Sequence, residues 1–327
     1  MKDYSEILSA IKAFQVQLAH DKQGRFMSWE HCYNAFALAR RKWREGVAVP
    51  DYESLSLHLA FYLASWGMYR GSSFLLQKDY LVHVCAVKFI LEEQYDKLQG
   101  IELADVKKDL ADGESFICGL YGRLAKYYAG IRSSCPKKEQ MKSDSVSDTL
   151  ITKIMLGTLG CVPAYDRYFR DGIGKVGVQI PKKFSKESLL RILEFVEPWR
   201  DKFELFRESK EMRRPDGANS KLYPPMKLID MAFWQYGAIV TVLPKTELPA
   251  ELVAFRTMQV EDARQLNGNT CCLMPFTCDG CIIAKFDGVV YKFTRDSFGL
   301  DEDAFESTAF MICDELKKIG CEILDWE

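Results

Sequence analysis

An aspartate flanked by aromatic residues is the group in this sequence whose surroundings most suggest chemistry. Asp166 follows Gly160 and Pro163 in the stretch LGTLGCVPAYDRYFRDG. We predict that the glycine ends one helix and that the proline lies in the first turn of the next, from which Asp166 projects. A helix N-terminus keeps a carboxylate ionised, and an ionised carboxylate in an aromatic cleft can activate water or stabilise a developing cation. The alternative is an acid that only stabilises its own helix.

A stretch with two glycines and two serines, ASWGMYRGSSFLL at residues 64–76, is the second candidate. Arg70 carries planar donors that suit phosphate or carboxylate. Ser72 and Ser73 offer hydroxyls and, at a helix start, free amides, so the stretch could hold an anion. The alternative, which we favour on the residues alone, is a joint between helices in which Trp66 packs in the core and Arg70 caps carbonyl groups.

A pair of cysteines with metal-ligand spacing is the third candidate. Cys278 and Cys281 form a CxxC motif, but a zinc site needs two further ligands and no second pair has a matching spacing. The chain has 4 histidines, which lie between His20 and His83, far from this motif. We therefore expect the cysteines to pack as apolar residues, and we predict no metal and no cofactor.

The overall composition is that of a globular protein without a strong electrostatic field. The chain has 327 residues, enough for two domains, with 48% hydrophobic and 28% charged residues and a formal net charge of -2. A nucleic-acid partner would therefore need a local basic face. The 11 cysteines show no disulfide framework, which predicts a cytoplasmic location. We see neither a signal peptide nor an apolar segment long enough for a membrane helix.

Helical periodicity dominates the first two-thirds of the chain. The residues predicted to cap helix N-termini are Ser28, Asp51, Ser147 and Ser185. The helix after Asp51 is apolar almost all round, which predicts a central, buried helix. We expect Gly172 and Gly174 to end the short helix at Asp166, and Pro198 to kink or divide the helix that Ser185 opens.

The pattern changes to short β-rich runs near residue 245. Asp287-Gly288, between IIAKF and VVYKF, is a strong hairpin signal, and a helix is predicted from Asp301 or Glu302. The predicted fold class is therefore mainly α, with a helical N-terminal domain at residues 1–245 followed by a small α+β domain at residues 246–327.

A local resemblance gives Asp166 a mechanism. The stretch TLITKIMLGTLGCVPAYDRYF, residues 149–169, resembles the catalytic stretch of the helix–hairpin–helix DNA glycosylase superfamily. In that superfamily a helix that bears a lysine in some members leads through a Gly-Pro turn to an essential aspartate. The resemblance implies that Asp166 is the catalytic acid and Lys153 a nucleophile. The stretches LASWGMYRGSSFLLQ and LGTLGCVPAYDRYF are also similar to bacterial proteins without an assigned function.

The resemblance implies a hydrolase of the N-glycosidic bond with DNA as its partner. A flipped base would need aromatic side chains around it, and Trp66, Tyr69 and Tyr165 are available. Phosphate contacts could come from the basic residues near the site in sequence, which are Lys137, Lys138, Lys142, Arg167, Arg170, Lys175, Lys182 and Lys183. The alternative is a non-enzymatic bacterial protein-binding or scaffold protein whose C-terminal module contacts a protein partner.

Overall fold

The computed structural model describes residues 10, 11, 14, 23–71, 73–135, 146–208, 212, 222–242, 257–258, 281–286, 289–294, 313 and 322–323. This part of the chain is mainly helical, as predicted. Its α-helices are α1 (Ser28–Arg44), α2 (Tyr52–Ser65), α3 (Val84–Ile90), α4 (Leu103–Ala111), α5 (Phe116–Ser133), α6 (Asp148–Leu159), α7 (Arg167–Lys175), α8 (Lys186–Val196), α9 (Arg200–Glu208) and α10 (Pro225–Val242). No helix among these residues is both long and apolar enough to cross a membrane.

Three of the four predicted N-caps are confirmed. The side chains of Asp51, Ser147 and Ser185 each accept a hydrogen bond from a backbone amide in the first turn of α2, α6 and α8. The prediction for Ser28 is wrong, because α1 begins at Ser28 itself and Met27 is its N-cap residue. A 3-10 turn at Arg25–Met27 runs directly into α1, so the chain enters this helix without an extended cap residue.

The turn around Asp166 and the helix that follows it differ from the prediction in three ways. Gly160 does end α6, in the left-handed conformation with φ 65, but Pro163 lies outside the next helix. Asp166 is the N-cap of α7 rather than a residue of its first turn. Gly172 and Gly174 do not end α7, since both lie inside it. Pro198 lies in a 3-10 turn that divides α8 from α9, as predicted.

The most deeply buried helix is α6, not α2. Every residue from Leu150 to Leu159 is buried. The helix predicted to be central and buried, α2, is instead exposed along one face, where Leu57 and Phe61 are 54% and 57% exposed. One side of α2 packs on α1 and α6, and the other meets solvent.

The closest helix crossing joins α7 to α10 at two glycines. A Cβ atom on Gly172 would lie 1.9 Å from the carbonyl oxygen of Phe233, and a Cβ atom on Gly237 would lie 1.7 Å from that of Tyr168. Backbone therefore touches backbone at this crossing, and no side chain fits between the two helices.

Four strands are described in the C-terminal part, namely β1 (Thr257–Met258), β2 (Cys281–Phe286), β3 (Val289–Thr294) and β4 (Glu322–Ile323). They form an antiparallel sheet in the order β1-β3-β2-β4. Phe286 pairs with Val289, on either side of the predicted hairpin turn. Asp287, Gly288 and Asp301 lie outside the described residues, and the domain boundary near residue 245 stays a prediction.

We expect Gly172→Ala to lower the free energy of unfolding by about 3 kcal/mol, because the new methyl group would overlap a backbone carbonyl that cannot rotate away. Gly174→Ala is the matched control on the same helix, since its Cβ would meet nothing within 4 Å. That control should be neutral or stabilising by up to about 1 kcal/mol. Urea denaturation measures both, and equal stabilities of the two variants would contradict the close crossing.

Candidate functional site

Lys153 and Asp166, the two residues singled out by the resemblance, form an ion pair. The Lys153 Nζ lies 3.1 Å from Asp166 Oδ2, and the two side chains are 5% and 13% exposed. The other carboxylate oxygen, Oδ1, accepts a hydrogen bond of 3.0 Å from the Phe169 amide at the start of α7. One oxygen of Asp166 therefore fixes the helix, and the second faces the ammonium group.

The residues between the two partners fold back along α6. The Tyr165 amide donates to the Thr152 hydroxyl at 2.9 Å, and the Thr149 hydroxyl donates to the Tyr165 carbonyl, also at 2.9 Å. These bonds satisfy buried backbone groups that no helix or sheet pairs. They also bring the chain back alongside α6, so that Asp166 lies next to Lys153 and the two side chains form the ion pair.

Lys153 also contacts the residue that ends α2. Its Nζ lies 3.4 Å from the Trp66 carbonyl oxygen and 5.1 Å from the centre of the Trp66 ring. That ring belongs to an aromatic cluster formed by Phe14, Phe26, Trp66 and Trp234. Within it the ring centres of Trp66 lie 5.5 Å from both Phe26 and Trp234 and 6.4 Å from Phe14.

The cluster continues towards α7 and contains an unsatisfied polar atom. The Tyr168 ring packs edge-on against Trp234 at 5.4 Å. The Nε1 atom of Trp66 is buried and has no hydrogen-bond partner among the described residues. A buried N–H group without an acceptor is unfavourable.

A second buried lysine–aspartate pair, which the sequence analysis missed, lies beside the first. Lys227 and Asp230 of α10 approach to 3.0 Å and are 2% and 6% exposed. Asp230 Oδ1 accepts a hydrogen bond of 2.9 Å from the Ala164 amide. The Lys227 ammonium lies 5.1 Å from the ring centres of both Phe14 and Trp29. Its signal in the sequence was a Lys and an Asp three residues apart in the apolar stretch PMKLIDMAFW.

Burial and the neighbouring charges act on the titration of this second pair. Burial lowers the pKa of Lys227, although the negative charges of Asp230 and Asp166 act in the opposite direction. Burial likewise raises the pKa of Asp230, against the positive charge of Lys227, and the negative charge of Asp166 raises it further. Asp166 therefore interacts electrostatically with both members of the second pair.

Arg70 lies at the surface near this site. Its guanidinium folds over Gly67, where a Cβ atom would lie 2.8 Å from the Arg70 Nε. Gly67 has φ 75, so glycine suits the position in both conformation and space. The exposed Arg70 side chain forms no ion pair or side-chain hydrogen bond with any residue that the structure describes. Ser73 instead caps a 3-10 turn through the Leu75 amide, and Ser72 lies outside the described residues.

The two tyrosines predicted to contact a substrate lie in different surroundings. Tyr165 is fully buried, and its hydroxyl is hydrogen-bonded to Ser188 at 2.8 Å, which places it in the core beneath the site. The Tyr69 hydroxyl lies 2.7 Å from the Nε2 atom of His83. The other ring nitrogen of His83 lies 2.7 Å from the Tyr128 hydroxyl. This chain of three side chains anchors the segment that follows Trp66.

Metal binding finds no support in the described part of the chain, where no three His, Cys, Asp or Glu side chains are grouped to hold an ion. Cys278 and Cys281 lie outside the described residues. Comparison of the chain with protein-family models, with curated proteins and with solved structures finds no match.

The anchoring histidine predicts a dependence of stability on pH. Burial lowers the pKa of His83 from 6.5 to about 4. Below pH 6.5 the unfolded chain therefore binds a proton that the folded protein does not, and the free energy of unfolding falls as the pH drops towards 4. Between pH 7.5 and pH 5 we expect this group to remove about 2 kcal/mol. The measurement is urea denaturation of the wild type and His83→Phe at both pH values. An equal loss in the two proteins would contradict the assignment.

Proposed function

We propose that the protein hydrolyses an N-glycosidic bond in nucleic acid, with DNA as its partner. The observation that carries the proposal is the buried contact of 3.1 Å between Lys153 and Asp166 beside the aromatic cluster. These are the two residues that the glycosylase-like stretch aligns with catalytic positions. A carboxylate, an ammonium and partly exposed aromatic rings are the groups that such a reaction needs.

Asp166 is the catalytic residue of the proposed reaction. As the bond between base and sugar breaks, the base leaves with the bonding electrons and positive charge develops on the sugar. A carboxylate that is already oriented stabilises this charge without rearranging. A water molecule then adds to the sugar carbon and gives up a proton, which Asp166 accepts in the proposed reaction. The amide of Phe169 holds the carboxylate in place throughout.

Lys153 is assigned to positioning rather than to nucleophilic attack. It lies against both Asp166 Oδ2 and the Trp66 carbonyl, and an ammonium group in such a pair has no lone pair with which to attack carbon. Attack by Lys153 would first require transfer of its proton. We therefore propose that it orients the Asp166 carboxylate.

The partly exposed rings are the proposed contact for the base. Trp66, Tyr168 and Trp234 are each partly accessible, and they pack against one another beside Lys153. Stacking of a base on such rings contributes about 1–3 kcal/mol per base.

Exposed basic residues next to the site are the proposed phosphate contacts. Arg70 has no counter-charge among the described residues. Arg167 and Arg170 lie exposed in the first turns of α7, directly after Asp166. Lys175, Lys182 and Lys183 are also exposed, whereas Lys137, Lys138 and Lys142 lie outside the described residues.

A second candidate function is binding of a protein partner. It is favoured by the exposed side chains of Leu57 and Phe61 on α2, which are 54% and 57% accessible and lie one turn apart. Residues 246–327, proposed as a small α+β module, would extend the contact surface in this case. The candidate needs neither the ion pair nor the aromatic cluster.

We expect Asp166→Asn to lower the rate of base release by at least about 1,000-fold, because the amide keeps the cap but loses the charge. The loss of the counter-charge to the buried Lys153 should cost about 3–5 kcal/mol of stability, so the folded fraction of the variant is measured alongside its activity. The assay incubates protein with oligonucleotides that carry normal, damaged or modified bases, and then cleaves abasic sites.

Asp171→Asn is the matched control, since Asp171 is exposed on the same helix. It should release bases at the wild-type rate. If the wild type neither binds DNA nor releases any base across the panel, the proposal fails and the protein-binding candidate takes its place.

We expect Arg70→Gln to weaken DNA binding by a similar factor for all sequences and to reduce the slope of log Kd against log salt concentration by about 1. A contact to phosphate carries no information on sequence, and its loss releases one counterion fewer. Titrations at several salt concentrations measure this effect. Lys107→Gln, a substitution on the exposed face of α4, is the control that should leave the slope unchanged. An unchanged slope for Arg70→Gln removes Arg70 from the interface.

A further inference from the structure

The two lysine–aspartate pairs are arranged around one indole ring. The ammonium groups of Lys153 and Lys227 lie 5.1 Å and 5.6 Å from the ring centre of Trp66. Two like charges this close to one ring repel each other, and each is balanced by its own carboxylate. The four side chains therefore form a neutral group with little water.

The second pair is also attached to the backbone that presents the first. Asp230 Oδ1 accepts from the amide of Ala164, two residues before Asp166. Asp230 Oδ2 accepts from Lys227 at 3.0 Å. If Asp230 moved, it would no longer accept a hydrogen bond from the Ala164 amide. The segment between Ala164 and Asp166, which places Asp166 against Lys153, would then lose this support.

The hydrogen bond between Asp230 and the Ala164 amide does not explain why positions 227 and 230 carry charged side chains. A neutral amide at position 230 could accept from Ala164 equally well. A buried ion pair gives little net stability over apolar residues of similar size, because both charges lose their hydration. Perturbed, buried ionisable groups are characteristic of functional sites, and this pair lies against the proposed one.

We propose that Lys227 and Asp230 are positioning residues for the Asp166 centre, and that the four side chains act as one charge-balanced unit. Asp230 fixes the turn before Asp166, and Lys227 cancels the negative charge that Asp230 would otherwise direct at it. The inference rests on the proposed function for its catalytic part. Among the residues that the structure describes, the ionisable groups that face the pair are Lys153 on α6, Asp166 at the start of α7 and Tyr62 on α2.

The first test needs no substrate. Lysine labelled with ¹⁵N and ¹³C allows the pKa of Lys227 to be followed by NMR in the wild type, Asp166→Asn and Asp171→Asn. Because the charge of Asp166 raises the pKa of Lys227, its removal should lower that pKa, whereas the exposed Asp171 should have no effect. An equal Lys227 pKa in all three proteins would overturn the inference.

The second test separates positioning from structural support. The double variant Lys227→Met/Asp230→Asn removes both charges and keeps an acceptor for the Ala164 amide. We expect it to fold with a urea midpoint at or above that of the wild type and to lose about 10- to 100-fold in kcat with KM unchanged. A folded double variant with the wild-type kcat would show that the pair is only structural, and would overturn the inference.

Variants at position 230 test the role of the hydrogen bond. Hydrogen exchange of the Ala164 amide should be faster in Asp230→Ala than in the wild type, and Asp230→Asn should restore slow exchange. Equal exchange in all three proteins would overturn the positioning role of Asp230. If the wild type releases no base, the proposed function fails, while the Lys227 titration and the Ala164 exchange still decide whether the four side chains are coupled.

Discussion

The backbone contact between α7 and α10 is the constraint on which the site depends. Gly172 and Gly237 leave no side chains at the crossing, so the two helices approach more closely than side-chain packing allows. As a consequence Tyr168 of α7 packs on Trp234 of α10. Asp230 reaches the Ala164 amide just before α7 begins. A wider crossing would separate the two acids and open the aromatic cluster.

Helix ends and aromatic rings together make the buried charges tolerable. Lys153 contacts the carbonyl of Trp66, at the negative end of the α2 dipole. Asp166 is the N-cap of α7, at the positive end of its dipole. Each charge of the first pair therefore lies at the helix end whose dipole attracts it. The Lys227 ammonium also contacts the faces of aromatic rings. A ring face attracts a cation, although the attraction is weaker than that of a carboxylate.

Local chemistry could be predicted from the sequence, and contacts between distant segments could not. The caps at Asp51 and Ser147 and the left-handed Gly160 follow from neighbouring residues alone. Glycine is a poor helix former, so the sequence predicted that Gly172 ends a helix. Glycine is needed there because α10, much later in the chain, packs directly against the backbone at this position. Lys227, in an apolar stretch, likewise has partners that only the fold supplies.

The two interpretations of Asp166, a helix cap and a chemical group, are compatible because its two oxygens have different partners. Oδ1 accepts from Phe169 and fixes the direction of the side chain, whereas Oδ2 faces Lys153. A cap needs only an acceptor, which an amide also provides, and so the cap by itself does not account for a charge. The negative charge matters only on the side of Lys153, the aromatic cluster and the second pair. One oxygen therefore forms the ion pair, and the other fixes the orientation of the side chain.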